Sequence, residues 1–118
     1  MTASEYRYMR AIDKFAKDGR AAKMTDVAVD LGYARASVYK KFCLLEQQGL
    51  IKKRDDKSVV MTDEGAKRFA EQSEVCAVCA RMLSQFTGLQ ESLLWHDAVS
   101  VAVALSHRCS AALIRTSG

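Results

Sequence analysis

Proline is missing from all 118 residues. Proline removes an amide donor and clashes with the preceding turn inside a helix, so a chain without it is free to be mostly helical. Long apolar runs are missing too. A membrane-spanning helix needs about 20 apolar residues, none occurs, and the first residues lack the apolar core of a signal peptide. A soluble protein of the cytoplasm, with no membrane partner, is the expectation. Glycine-rich phosphate loops are absent. His96 and Asp97 are adjacent and so point to different helix faces, and no nucleophile, base and acid converge on them. These absences argue against an enzyme. The four cysteines, Cys43, Cys76, Cys79 and Cys109, do not make a secreted disulfide framework, because a chain that is 49% hydrophobic can bury a core without staples. Reduced thiols are expected.

Charge is scarce towards the C-terminal end. Fifteen of the eighteen Lys and Arg residues precede position 71, and positions 75–118 hold only Arg81, Glu91, Asp97, Arg108 and Arg115 as charged groups. The front half is therefore polyanion-facing in character, and the back half is suited to packing. The basic excess is sharpest between Tyr33 and Arg54. Arg35, Lys40, Lys41, Lys52, Lys53 and Arg54 stand there against the single acid Glu46, a local net +5 in a chain whose total is +4. A basic face of this kind attracts nucleic acid.

The basic stretch is also patterned. In Met24–Gly49, Val27, Ala28 and Leu31 fall on one face of a short helix that Thr25 is placed to cap. Gly32 permits a sharp turn. From about Arg35, Val38, Phe42 and Leu45 recur at helical spacing and predict a buried stripe, with Ala36, Tyr39, Lys40 and Cys43 opposite. Gly49 closes this helix. Two short helices about a tight turn predict a helix-turn-helix, whose later helix lies in the major groove of DNA. The alternative is an ordinary helical hairpin in an all-helical core. After Gly49, Leu50 and Ile51 open a strand, Asp55 to Ser58 turn it, and Val59 to Met61 return. A basic hairpin directly after a recognition helix predicts a wing, or else a solvated hairpin whose lysines only prevent edge pairing.

Around this core the spacing predicts a first helix over about Ser4–Asp18, introduced by a capping box from Thr2 to Glu5. Tyr8, Ile12, Phe15 and Ala16 would pack on the helix-turn-helix. Arg20 to Lys23 would form a basic link. Thr62 would cap a helix from Asp63 to about Thr87, ended by Gly88, and further helices would span about Gln90–Leu105 and Ser106–Arg115. Leu94, Trp95, Ala98, Val99, Val101, Ala102, Val103 and Leu105 make the next-to-last helix apolar around most of its circumference, which predicts burial on several sides. Another copy of the chain would supply the missing cover. The expected architecture is mainly α: a winged helix-turn-helix DNA-binding domain with a small two-stranded wing over residues 1–70, then a helical dimerisation region over residues 71–118.

In order along the chain, Tyr8-Met-Arg-Ala-Ile12, Thr25-Asp-Val-Ala28, Ser37-Val38, Leu45-Glu46, Gly49-Leu-Ile51 and Met61-Thr-Asp-Glu-Gly65 resemble the diphtheria toxin repressor-like (DtxR/MntR) family of metalloregulators. The likeness covers positions 4–70 well and continues more loosely to Leu105-Ser106. It implies a homodimeric winged-helix repressor of the iron-dependent repressor type, activated by Mn or Fe ions held between its DNA-binding and dimerisation helices. The sequence departs from the family where that metal binds. The family's two acids flanking the first-helix Tyr fall on Arg7 and Arg10. The His opening the first dimerisation helix falls on Cys76, and the ligands of the next helix fall on Val99, Ala102 and Val103. A hard cation needs anionic oxygen or imidazole, which arginines and small apolar groups do not offer. The resemblance thus implies fold, dimer and DNA binding, while a degenerate metal site leaves no cofactor expected.

Two other features bear on chemistry. Cys76 and Cys79, one helical turn apart, could join Cys109 and His107 in a thiol sensor or soft-metal site, or serve as small buried hydrophobes. Arg7 and Arg10 could hold an anion, or be a solvated helix face. The leading expectation is a homodimeric transcription regulator that binds double-stranded DNA. Arg35, Ala36, Ser37, Tyr39 and Lys40 would lie in the groove, and Lys41, Lys52, Lys53, Arg54 and Lys57 would lie on phosphates. The alternatives are a winged-helix protein-interaction module, and a regulator that senses oxidants or thiophilic metal through its cysteines.

Overall fold

The computed structural model describes residues 1–117. Its elements in order are α1 (Ala3–Lys17), α2 (Met24–Leu31), α3 (Arg35–Gln47), β1 (Ile51–Lys53), β2 (Val59–Met61), α4 (Asp63–Thr87), a 3-10 turn over Glu91–Leu93, α5 (Trp95–Ala104) and α6 (His107–Ser117). Two compact units result. One spans Ser4–Phe69, and the other joins Met1–Ala3 to residues from Ala70 onward.

The Ser4–Phe69 unit is a winged helix-turn-helix. Val27 and Ala28 of α2 and Val38, Phe42 and Leu45 of α3 are buried, as their spacing requires. The turn between the helices depends on Gly32, which has φ 71° and leaves the Tyr33 amide to donate to the Ala28 carbonyl. Side chains with a Cβ avoid that left-handed backbone. From α1, Tyr8 packs edge-on against Phe42 and tilted against Tyr33. Burial, and then the neighbouring Tyr33, push the Tyr8 hydroxyl above its ordinary pKa. Tyr6 stacks on Phe69 at the start of α4, with ring centroids 5.2 Å apart.

Two local expectations need correction. Thr25 does not cap α2. The Val27 amide donates to the Lys23 carbonyl, so Lys23 is the N-cap and Thr25 sits exposed inside the first turn. Ala16 does not pack on the helix-turn-helix either; it is exposed, and Phe15 is only half-buried beneath the Arg20 guanidinium.

The wing is antiparallel, with Ile51, Lys52 and Lys53 opposite Met61, Val60 and Val59. Its edge is extended by the link before α2: the Val59 amide donates to the Ala22 carbonyl at 2.8 Å. At the tip, the Ser58 amide and hydroxyl both donate to the Asp56 carboxylate, and Lys57 takes φ 69°. Those hydrogen bonds hold the Asp56 carboxyl below its ordinary pKa, despite full exposure. Thr62 caps α4 as expected. Its hydroxyl oxygen accepts the Gly65 amide at 3.0 Å while its proton goes to the Gly49 carbonyl.

In the other unit, α4 ends at Gly88, where φ is 77°. The expected helix over about Gln90–Leu105 is shorter, because Leu94 leaves helical geometry (φ −108°, ψ 4°) and separates the 3-10 turn from α5. Ala98, Val99 and Ala102 bury one face of α5. No residue of α6 is fully buried. Among the described residues, no helix is long and apolar enough to cross a membrane.

Candidate nucleic-acid interface

The buried stripe of α3 dictates what the helix shows to solvent. With Val38, Phe42 and Leu45 inward, Arg35, Ala36, Ser37, Tyr39 and Lys40 are exposed and Lys41 is half-buried. No acid lies in the first turn of α3, so the positive end of its dipole is uncompensated. Lys52, Lys53, Arg54 and Lys57 of the wing are exposed as well.

A cation–ring contact joins the exposed faces of helix and wing. The Lys53 ammonium lies 5.9 Å from the centroid of the Tyr39 ring, within cation–π range. Tyr39 stays 54% exposed. Tyr39 of α3 and Lys53 of the wing thereby lie side by side on the exposed basic surface. Two neighbouring features are not evident from the sequence. Lys23, in the basic link, is close enough to the Asp56 carboxylate to help lower its pKa, after the Ser58 hydrogen bonds and Arg54. Cys43 and Glu46 line a cavity between α3 and the wing. Only the charge of the Arg20–Lys23 link hints at the role of Lys23. Nothing local signals the cavity, because a cavity depends on how two elements pack.

The positions where the family resemblance puts metal ligands do not suit a hard cation. Arg7 is half-buried and Arg10 exposed, and both carry positive charge. Val99 and Ala102 are buried, Val103 is half-buried, and none has a ligand atom. Cys76, fully buried, is the one donor. Among the described residues, no group of three His, Cys, Asp or Glu side chains is placed to hold a metal ion.

The cysteines form no disulfide and sit in different settings: Cys43 half-buried, Cys76 and Cys79 buried, Cys109 exposed. Burial, and then the neighbouring Cys109, push the Cys79 thiol up. That favours the protonated, unreactive form, since thiolates are the nucleophiles and ligands.

The helical unit leaves apolar side chains uncovered. Phe86 is 86% exposed and Leu93 69%, with Leu89 and Val101 also in solvent.

No protein-family model and no curated protein sequence matches the chain. Solved structures do match its fold. A hypothetical protein from Sulfolobus solfataricus aligns with a TM-score of 0.81 at 22% identity, over 100% of this chain and 90% of its own. IdeR of T. acidophilum aligns at 0.76 with 15% identity, and the manganese regulator SloR at 0.82 with 12%. Each of these two covers 95% of this chain, which spans about half of theirs, 52%. The winged-helix fold of these regulators is therefore the fold of this chain.

Proposed function

We propose that this chain is a homodimeric, DNA-binding transcription regulator, a repressor of the diphtheria toxin repressor-like type that works without manganese or iron. The observation that carries the reading is the Lys53–Tyr39 contact, which joins recognition helix and wing into one basic surface. Arg35, Ser37, Tyr39 and Lys40 meet base edges in the major groove, and Ala36 is small enough to lie against a thymine methyl. Lys41, Lys52, Lys53, Arg54 and Lys57 neutralise phosphates, which sets affinity and its salt dependence but not sequence choice. The exposed Phe86, Leu89 and Leu93 support another copy of the chain as the cover of the helical unit. A dimer presents two recognition helices to half-sites about one helical turn apart. Independence from manganese and iron is supported by the donor set: two guanidinium groups, three apolar side chains and one buried thiol.

The test is DNA binding by the purified chain at two salt concentrations, with chelator and then with added manganese, iron or zinc. Salt-sensitive binding that chelator leaves intact is expected. Binding that appears only with metal would overturn the metal-independent reading. A monomer that ignores DNA even at low salt would favour a protein-interaction module instead.

A further inference from the structure

Between α3 and the wing lies an open cavity of about 360 Å³, inside the range of about 300–1,000 Å³ that small-molecule sites occupy. Phe42, Ile51 and Val59 are buried and give it an apolar floor, and the Tyr39 ring and Cys43 thiol form the α3 side. Its charged groups are the Lys53 and Lys57 ammoniums and the single carboxylate of Glu46. We propose that this groove binds a small aromatic monocarboxylate and that its occupant competes with DNA. The charge balance selects an anion, with two cations facing one acid. The apolar floor selects a ligand with a hydrophobic body. The Phe42 and Tyr39 rings favour a flat aromatic one, since rings pair by offset stacking or edge-to-face contact. The ligand carboxylate takes Lys53 as its partner, and Lys53 is the group whose ammonium already lies near Tyr39. Drawing Lys53 onto the ligand removes a phosphate contact, and the ligand body crowds Tyr39 beside the groove face of α3. Ligand and DNA then weaken each other by the same factor. This regulatory half rests on the DNA-binding reading; the ligand site does not.

The experiment is an NMR titration of the full isotope-labelled chain with 1-naphthoate, with neutral 1-naphthalenemethanol in parallel. Saturable amide shifts are expected at Tyr39, Cys43, Lys53 and Val59, with a dissociation constant of about a millimolar or tighter, as suits so small a ligand. The alcohol should bind at least about fivefold more weakly, the share left to the charge contact. Cys43→Phe, which fills the cavity, should abolish the naphthoate shifts. Lys53→Gln, which removes the carboxylate's partner, should weaken naphthoate and leave the alcohol alone, and this arm holds even if the larger residue at position 43 disturbs folding. Absent or unsaturable shifts, equal affinity for acid and alcohol, or shifts that survive both variants would overturn the site. In the DNA arm, naphthoate should release a bound DNA fragment. DNA that stays bound at saturating naphthoate would overturn the competition. Saturable shifts in a chain that never binds DNA would leave the ligand site standing and sink the regulator.

Discussion

Gly65 and Leu50 touch through backbone: a Cβ on Gly65 would lie 1.9 Å from the Leu50 carbonyl oxygen. The same oxygen accepts the Thr62 amide at 3.1 Å, and the Thr62 hydroxyl bridges Gly49 to the Gly65 amide. The end of the helix-turn-helix and the start of α4 are thus locked through one glycine. Gly65 is helical, and alanine at an ordinary helical glycine stabilises by up to about 1 kcal/mol. Here the clash is with backbone, which cannot swing aside, and overpacking of this kind costs about 1–3 kcal/mol. Gly65→Ala should therefore lower the urea midpoint of the full chain. An unchanged or higher midpoint would show that α4 slides away freely.

On the proposed DNA-binding reading, the α3 side of the Lys53–Tyr39 contact reads sequence and the wing side meets phosphate. Lys53→Ala should weaken binding to all DNA fragments alike and reduce the slope of log affinity against log salt by about 0.9, one phosphate's worth of released counterions. Arg35→Ala should instead flatten the preference among sequences by about 1–3 kcal/mol, the worth of one lost base contact. Filter binding of several fragments over a salt series measures both. If Lys53→Ala left affinity and slope unchanged, the wing would have no part in DNA binding.

The wing tip should carry a pH signature. Asp56 accepts from the Ser58 amide and hydroxyl, and its carboxyl titrates below the ordinary value of 3.8 when folded. The order this carboxylate gives the turn is present above that value and is lost as pH falls through the lower, folded pKa. Asp56→Ala should speed exchange of the Ser58 amide at neutral pH, by removing its acceptor, while leaving amides of α1 unaffected. Equal exchange in both proteins would mean that the turn is held by other bonds, such as the Arg54 amide to the Ser58 carbonyl.

Much of this architecture is legible in the sequence because it is local. Val38, Phe42 and Leu45 repeat at helical spacing and are buried; Gly32 and Gly88 mark the left-handed positions where helices end; Asp56 binds its own turn. The errors arise where a choice depends on neighbours in space. Thr25 has the chemistry of a cap, but the first helical bond reaches back to Lys23. Ala22 in the link pairs with Val59, a contact distant in sequence that no periodicity encodes. Of the candidate site, the exposure of the α3 and wing cations follows from the buried stripe, whereas the cavity beside Cys43 arises only when strand and helix pack.

The cysteines should differ in reactivity. Cys109 is exposed, Cys43 half-buried, and Cys76 and Cys79 buried. A thiol pushed above its usual pKa holds less thiolate at any given pH, so Cys79 is slow twice over, by access and by charge. Iodoacetamide at mildly alkaline pH should modify Cys109 first and Cys43 next, with Cys76 and Cys79 reacting only on unfolding, as read by mass spectrometry of peptides. Early labelling of Cys79 would favour a thiol-based switch in the helical unit.

Phe86, Leu89 and Leu93 flank the break between α4 and α5 and stand largely in water. Burying such side chains stabilises an interface by about 25 cal/mol for each Å² of apolar surface removed from solvent, and a lone chain leaves that unrealised. If another copy covers them, Phe86→Asp and Leu93→Asp should each shift the chain from dimer to monomer in sedimentation equilibrium. Neither should alter the melting of the isolated subunit by much, because both side chains already face solvent within one chain. DNA binding should weaken in step with the dimer, since one winged helix then contacts one half-site alone. A wild-type chain that is monomeric at every concentration tested would remove the dimer and pass these apolar residues to a partner of another kind. A dimer indifferent to both charges would place its interface elsewhere, with the half-exposed residues of α6 next in line.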